Sequence, residues 1–258
     1  MKRSLIILLS IIALIAVQAT PEVLQQRVAQ PQCAASIAEC PLEGCSSDNH
    51  HDTKLNRLKN TTSNRSPVVD RPITWIKTHP DPQNFQRLGN RDELTALGEG
   101  QQLRVVGYLL RAKLELGGES CNCYFRTEET TDNHLVVVDK TTVDEFPLPK
   151  NAHKKTTDSV FSQRERESIT AEFTPRVRLN GHPKFRSETM EPLIAKASQR
   201  ALLVRITGQL MFDSEHFSQN RLARIPNWEL HPIFRLEYCR KGKTCVADSK
   251  KNWKDIDQ

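Results

Sequence analysis

The chain has 258 residues, of which 37% are hydrophobic and 26% charged, and its formal net charge is +6. This length is enough to bury one sizeable core, as one domain with extensions or two small domains. Beyond the first twenty residues no segment approaches the roughly 18 consecutive apolar residues of a membrane-spanning helix, and the charge excess is too small to indicate nucleic acid.

The first 19 residues predict export. Lys2 and Arg3 precede an apolar run over 5–17, and Ala19 is a small residue suited to cleavage. An uncleaved anchor is the alternative. Residues 1–19 are therefore interpreted as a signal peptide, and without Lys2 and Arg3 the charge falls from +6 to +4. We expect a periplasmic or extracellular protein with no integral membrane span after cleavage.

Residues 20–100 predict an irregular polar arm, because Pro, Asn, Asp and Thr are frequent and apolar pieces are short. Leu55 and Leu58 stand at helical spacing, which predicts one or two helical turns that pack on something larger.

Residues 101–239 predict a compact β domain. Short runs rich in Val, Ile, Leu and aromatic residues predict five strands and one amphipathic helix. The strands are expected over 103–114, 134–139, 169–179, 202–212 and 228–238, and the helix over 187–199. Gly107 and Gly208 lie inside two of the long strands, where a small barrel needs sharp bending.

This order of three strands, a helix and two strands is that of an OB-fold. The predicted fold class is therefore mainly β, an OB-like five-stranded Greek-key barrel with one short helix and the irregular N-terminal arm. A generic antiparallel sandwich is the alternative. A long polar insertion over 140–168 separates the second and third strands, and a basic tail follows over 240–258.

Seven cysteines in an exported chain indicate disulfides. Gly242 can supply a turn between Cys239 and Cys245, which predicts a bridge closing a hairpin. Cys121 and Cys123 are too close to pair readily, so at least one is expected to reach the N-terminal group. That group consists of Cys33, Cys40 and Cys45. Because seven is an odd number, one thiol stays free or pairs with another chain. A zinc site built from these cysteines is the alternative to disulfides.

Several short segments resemble motifs of exported bacterial proteins of unassigned function with an OB-fold-like β-barrel core. The segments are 40–45, 55–60, 118–123, 174–178, 208–216 and 228–232. The resemblance covers most of the mature chain and implies a bacterial origin, but it implies no activity.

Histidines beside carboxylates form the first candidate site. Asp132 and His134 share one strand face, as do Glu229 and His231, because residues two apart on a strand point the same way. The candidate metal ligands are His134, His182, Asp213, His216 and His231. Imidazole and carboxylate bind zinc, manganese or iron, so a divalent metal is the one cofactor that this hypothesis requires. A structural polar network is the alternative.

A basic strand face forms the second candidate site. Arg176 and Arg178 are expected on the outward side of the third strand, and Lys184 follows in the next turn. OB barrels bind single strands or oligosaccharides across this region. The hypothesis is an exported ligand-binding β-barrel that takes a polyanion or glycan. The alternatives are a metal-dependent hydrolase and a structural partner of another envelope protein. Walker A, dinucleotide-binding and Gly-x-Ser-x-Gly motifs are absent from the sequence.

Overall fold

The structure, a computed structural model, describes residues 33–46, 50–83, 91–214 and 226–258. The described strands are β1 (Val69–Asp70), β2 (Gln102–Glu115), β3 (Asp132–Val138), β4 (Ile169–Phe173), β5 (Leu202–Phe212), β6 (Trp228–Cys239) and β7 (Trp253–Asp255). The described α-helices are α1 (His50–Lys59), α2 (Ile73–Lys77), α3 (Asp92–Ala96), α4 (Lys140–Glu145), α5 (Lys154–Arg166), α6 (Pro175–Gly181) and α7 (Ser187–Lys196).

Five strands close into a barrel in the order β2-β3-β4-β6-β5, with β5 pairing back to β2. Every barrel pairing is antiparallel except that of β4 with β6, which is parallel. β2 is long enough to pair with β5 along its first half and with β3 along its second half. The expected mainly β barrel of five strands is confirmed, and its strands begin and end close to the predicted positions except at β4.

The predicted third strand is too long. β4 ends at Phe173, and α6 begins at Pro175. The Thr174 side chain accepts a hydrogen bond from the backbone N–H of Val177, and proline stands at the first helical position. A Thr-Pro pair of this kind starts helices, because threonine satisfies a free N–H and proline has none to satisfy. The apparent alternation beyond Thr174 was therefore a helix, not a strand.

The main core fills the barrel with alternate side chains of its strands. In β3 these are Leu135 and Val137, and in β4 they are Ile169, Ala171 and Phe173. Gly208 lies where the register between β5 and β6 shifts, and a Cβ there would come within 2.9 Å of the Pro232 carbonyl oxygen. The glycine therefore permits close strand approach at an irregular part of the barrel.

Several helices pack outside the barrel, so the expectation of one short helix is wrong. The predicted helix over 187–199 corresponds to α7, and the predicted turns around Leu55 correspond to α1. The polar insertion contains α4 and α5, and Phe161 of α5 is buried in a second apolar cluster with Leu110 and Val136. In the described residues, no helix combines the length and the apolar character needed to cross a bilayer.

Three disulfides hold peripheral segments. They join Cys33 to Cys45, Cys40 to Cys123, and Cys239 to Cys245. The expected hairpin bridge and the expected link from the 121–123 pair to the N-terminal group are both present. Cys121 is the free cysteine of the described chain, and it is buried.

Candidate metal centre

Charged side chains occupy the outer face of three adjacent barrel strands. Side chains alternate along a strand, so the residues between the core positions of β3, β4 and β6 point away from the barrel interior. We call this set the centre, and it comprises Asp132, His134, Glu172, Glu229 and His231. His134 is directly opposite Glu172 in the β3–β4 register, and the β4–β6 pairing of Ala171 with Leu230 brings Glu229 and His231 alongside.

Glu172 lies between the two histidines. Its Oε2 is 3.1 Å from His134 Nε2 and 3.4 Å from His231 Nδ1. The same His231 nitrogen is 3.4 Å from Glu229 Oε1. One ligand atom each from Asp132, Glu172 and His231 lie within 4.8 Å of one another. The barrel register therefore brings two carboxylates and one imidazole to a common point.

A cap covers the centre, and we define it as residues 33–46, α1 and residues 116–131. Lys59 at the end of α1 extends its Nζ to within 2.7 Å of Glu119 Oε2. Asn60 donates to the Cys121 carbonyl oxygen at 2.9 Å, and Asn122 donates to Asp132 Oδ1. The disulfide between Cys40 and Cys123 links two parts of the cap covalently.

The cap shields the centre from water. Asp132 and His231 are 0% exposed, and Glu172 is 4% exposed. Burial and the nearby charge of Glu119 raise the pKa of Asp132 from 3.8 to about 7. Burial opposes protonation of His134, but the carboxylate of Glu172 outweighs it and raises the pKa of His134 from 6.5 to about 9. Asp132 is thus poised between its two protonation states at neutral pH.

Opposing effects also act on Glu172 and His231. Burial would raise the pKa of Glu172, yet the charge and hydrogen bond of His134 hold it below its usual value. Burial would lower the pKa of His231, yet the hydrogen bond to Glu229 and the charge of Glu172 raise it. Glu172 therefore remains ionised and favours positive charge on its neighbours.

Three buried polar atoms of the centre have no hydrogen-bond partner among the described residues: Asp132 Oδ2, His134 Nε2 and His231 Nε2. His134 Nε2 makes the ion pair with Glu172, which leaves Asp132 Oδ2 and His231 Nε2. Buried polar atoms are normally satisfied, so each exception calls for a physical explanation. A carboxylate oxygen and an imidazole nitrogen are the atoms that a divalent transition metal binds.

The structure brings together some of the residues that the sequence suggested as ligands. His134 and His231 belong to the centre. His182 instead places Nδ1 2.8 Å from Asp257 Oδ2, and its ring stacks on Phe173. Asp213 follows β5, where its backbone N–H donates to the Asn227 carbonyl oxygen at 2.9 Å. Neither belongs to a group of converging ligands in the described residues. His216 and its neighbour Glu215 lie outside them.

The three basic residues suggested for ligand binding do not form the expected strand face. Arg176 and Arg178 lie on α6, and each donates from Nη2 to a backbone carbonyl, of Cys40 and Glu129 respectively. Arg178 is only 3% exposed. Lys184 is exposed beyond the helix. Helix formation after Thr174 is the physical reason, because it turns the two guanidinium groups toward backbone acceptors.

Sequence reasoning overlooked Glu172 as a ligand. Alternation along the third strand placed it on the outward face, but its apposition to His231 depends on the parallel pairing of β4 with β6. Lys59 and Glu119 were also missed because they come from separate segments of the cap, and Cys121 was considered as a disulfide partner or as part of a cysteine zinc site but not for this centre. No family model, curated protein or solved structure matches this chain.

Proposed function

We propose that this is an exported metal-binding β-barrel protein that holds a divalent transition-metal ion at Asp132, Glu172 and His231. The observation that carries the proposal is the convergence of their ligand atoms within 4.8 Å. Ligands of tetrahedral zinc lie about 3.3 Å apart, so modest side-chain shifts reach that spacing. Asp132 Oδ2 and His231 Nε2 also lack a hydrogen-bond partner among the described residues, which leaves both atoms able to bind an ion.

Charge supports a divalent ion. A histidine ligand is neutral, so binding requires His231 to lose any added proton. With Asp132 ionised and with the partly exposed Glu115 beside His134 left out, the charged groups around the ligands are then four carboxylates and two cations: Glu119, Asp132, Glu172 and Glu229 against Lys59 and His134. Four negative and two positive charges leave a net charge of −2, which a divalent ion neutralises. Leaving this excess buried would be costly.

The ligand types favour zinc, manganese or iron over calcium or magnesium, because an imidazole nitrogen is among them. Cys121 strengthens zinc within this group. Its sulfur, a Glu119 oxygen and an Asp132 oxygen lie within 4.8 Å of one another. Burial and the charges of Asp132 and Glu119 raise the pKa of the Cys121 thiol well above its usual value. A metal ion would reverse that effect and allow the thiolate to bind.

Burial favours a structural ion over a hydrolytic one. A catalytic metal keeps a coordination position open to water and substrate. Here the proposed ligands are at most 4% exposed. The ion would instead join three barrel strands beneath the cap. A hydrolase remains the competing function. It requires that water and a substrate reach the metal, and an added small anion can probe that access.

Two further features of the proposal concern place and fold. The three disulfides support an oxidising compartment outside the cytosol. The barrel order, with its antiparallel closure of β2 on β5 and a helix between β4 and β5, supports an OB-type barrel. Arg176, Arg178 and Lys184 give little support to a polyanion face, because both arginines are bonded to the protein.

Metal analysis tests the proposal. Protein purified in metal-replete buffer is assayed by mass spectrometry, alongside the single variants Asp132→Asn, Glu172→Gln and His231→Gln. We expect about one ion per chain in the parent protein and less than a tenth of that in the variants. His153→Ala, which removes an exposed imidazole, and His182→Gln serve as controls that retain the ion. Circular dichroism verifies folding.

A parent protein without metal, or a folded Asp132→Asn variant that keeps it, overturns the proposal. Cobalt substitution then separates the two functions. The visible spectrum of a closed structural site does not change when azide is added, whereas an open catalytic site shows a shift. A shift with azide would replace the structural role with the hydrolase.

A further inference from the structure

A cleft of about 580 Å³ opens where the start of β5, the end of β6 and the end of α7 meet. Its half-buried lining includes Tyr108, Leu193, Leu203 and Tyr238. This volume is within the range of sites that bind drug-sized molecules. The cleft shares no residue with the proposed metal centre, so an inference from it is independent of that proposal.

The rim of the cleft is basic. Lys196, Arg240, Lys241 and Lys243 line it, and all four are exposed. The described lining contains no acidic residue, and none of the four cations forms an ion pair within the described part of the chain. Positive charges gathered beside a low-dielectric wall attract anions.

The basic turn is fixed in place before any ligand binds. The disulfide between Cys239 and Cys245 closes it. Within the turn, Lys243 N–H donates to the Arg240 carbonyl oxygen at 3.0 Å, and Gly242 takes a positive φ of 71°. Arg240 N–H also donates to the Asn252 carbonyl oxygen at 3.1 Å, which ties the turn to the C-terminal segment. A preorganised rim loses less entropy on binding.

We propose that this cleft binds a single amphipathic anion, with an acyl or aryl body on the tyrosine and leucine surface and a phosphate-like head at the basic rim. The aliphatic share of the lining favours an acyl chain over a sugar. The concave shape and limited volume favour one molecule over the surface of a membrane.

Calorimetry with three soluble probes tests both halves of the ligand. Octyl phosphate carries chain and head, 1-octanol carries the chain, and inorganic phosphate carries the head. We expect octyl phosphate to bind at least tenfold more tightly than either of the others. Affinity should also rise about fourfold for each methylene added between octyl and decyl phosphate.

Variants locate the site. Lys196→Ala combined with Arg240→Ala should weaken octyl phosphate binding at least tenfold, and Leu193→Ser should weaken it about as much. Lys150→Ala combined with Lys155→Ala removes two exposed cations of the polar insertion and should leave affinity unchanged. Circular dichroism and thermal unfolding verify that each variant is folded.

Three results would overturn the proposal. One is equal binding of octyl phosphate by the parent protein and the folded Lys196/Arg240 variant. The second is equal affinity for octyl phosphate and inorganic phosphate, which would indicate a bare anion site. The third is retention on phosphatidylglycerol vesicles without binding of monomeric octyl phosphate, which would indicate a membrane surface as the partner.

Discussion

His134 Nε2 lies 3.1 Å from Glu172 Oε2 across the β3–β4 pair, and this contact has opposite effects on the two groups. The pKa of His134 is raised to about 9, and the pKa of Glu172 is held below its usual value. Both shifts arise from one ion pair in a site with little water. The pair therefore links protonation of the centre to the stability of the barrel.

The metal-free protein should lose stability as the pH rises from about 6.5 to about 9. Folded His134 keeps its proton in this window while unfolded His134 has lost it, so the native state binds more protons. The free energy of unfolding should fall by up to about 3 kcal/mol. Urea unfolding of chelator-treated protein across this pH range measures the change.

The variant His134→Gln provides the control for this pH effect. Glutamine cannot titrate, so the decline should become clearly shallower, with a remainder from His231, whose pKa is also raised. Groups facing His134 besides Glu172 are Glu115, Glu119 and Asp132. An unchanged slope in His134→Gln would assign the pH dependence to other groups.

Much of the barrel could be predicted from the sequence because its strands carry local signals. The predicted strand over 202–212 coincides with β5, and the run from Trp228 differs from β6 by one residue at its end. The third strand was misjudged because alternation continued past Thr174 into a helix. Capping by Thr174 and the fixed φ of Pro175 outweighed the β pattern there.

The candidate centre was only half predictable. Asp132, His134, Glu229 and His231 share strand faces by simple alternation, so their grouping in pairs followed from the sequence. Their meeting point depends on which strands are neighbours and in what register. Lys59 and Glu119, which are 60 positions apart, meet only through packing of the cap. His182 and Asp213 have the same chemistry but lie at other strand and helix ends.

Removing the disulfide between Cys40 and Cys123 should destabilise the protein more than removing the hairpin disulfide. The first spans 83 positions and the second spans 6. Loop-closure entropy predicts losses of about 4.5 and about 2 kcal/mol respectively. Urea unfolding of Cys40→Ser/Cys123→Ser against Cys239→Ser/Cys245→Ser measures the difference. Equal losses of stability in the two variants would contradict the expected dependence of disulfide stabilisation on loop length.

Gly107→Ala should destabilise the barrel by about 1–3 kcal/mol through overpacking. An added Cβ would lie 2.8 Å from Val137 Cγ1 and 2.9 Å from the Val138 carbonyl oxygen, and closer still to Ile73 Cδ1. Gly181→Ala is the matched control, because no atom lies within 4 Å of its added Cβ. Thermal unfolding of both variants checks the prediction, and an equally stable Gly107→Ala would contradict the close packing between β2 and β3.

Metal affinity should weaken as the pH falls through 7. Asp132 must be ionised and His231 neutral to bind the ion, and the pKa of Asp132 in the metal-free protein is about 7. Below that value each proton that the metal must displace weakens binding about tenfold per pH unit. Competition with a chromogenic chelator at pH 6, 7 and 8 measures the affinity, and calorimetry in buffers of different ionisation enthalpy counts the protons released.

The same linkage predicts how metal changes the pH dependence of stability. An ion that binds only the native state stabilises it more strongly at higher pH, where fewer protons compete. The metal-loaded protein should therefore show a smaller loss of stability between pH 6.5 and 9 than the metal-free protein. Asp132→Asn should show the same pH dependence of stability with and without added metal. Identical curves of stability against pH for the metal-loaded and metal-free parent protein would mean that the ion does not bind at Asp132, Glu172 and His231.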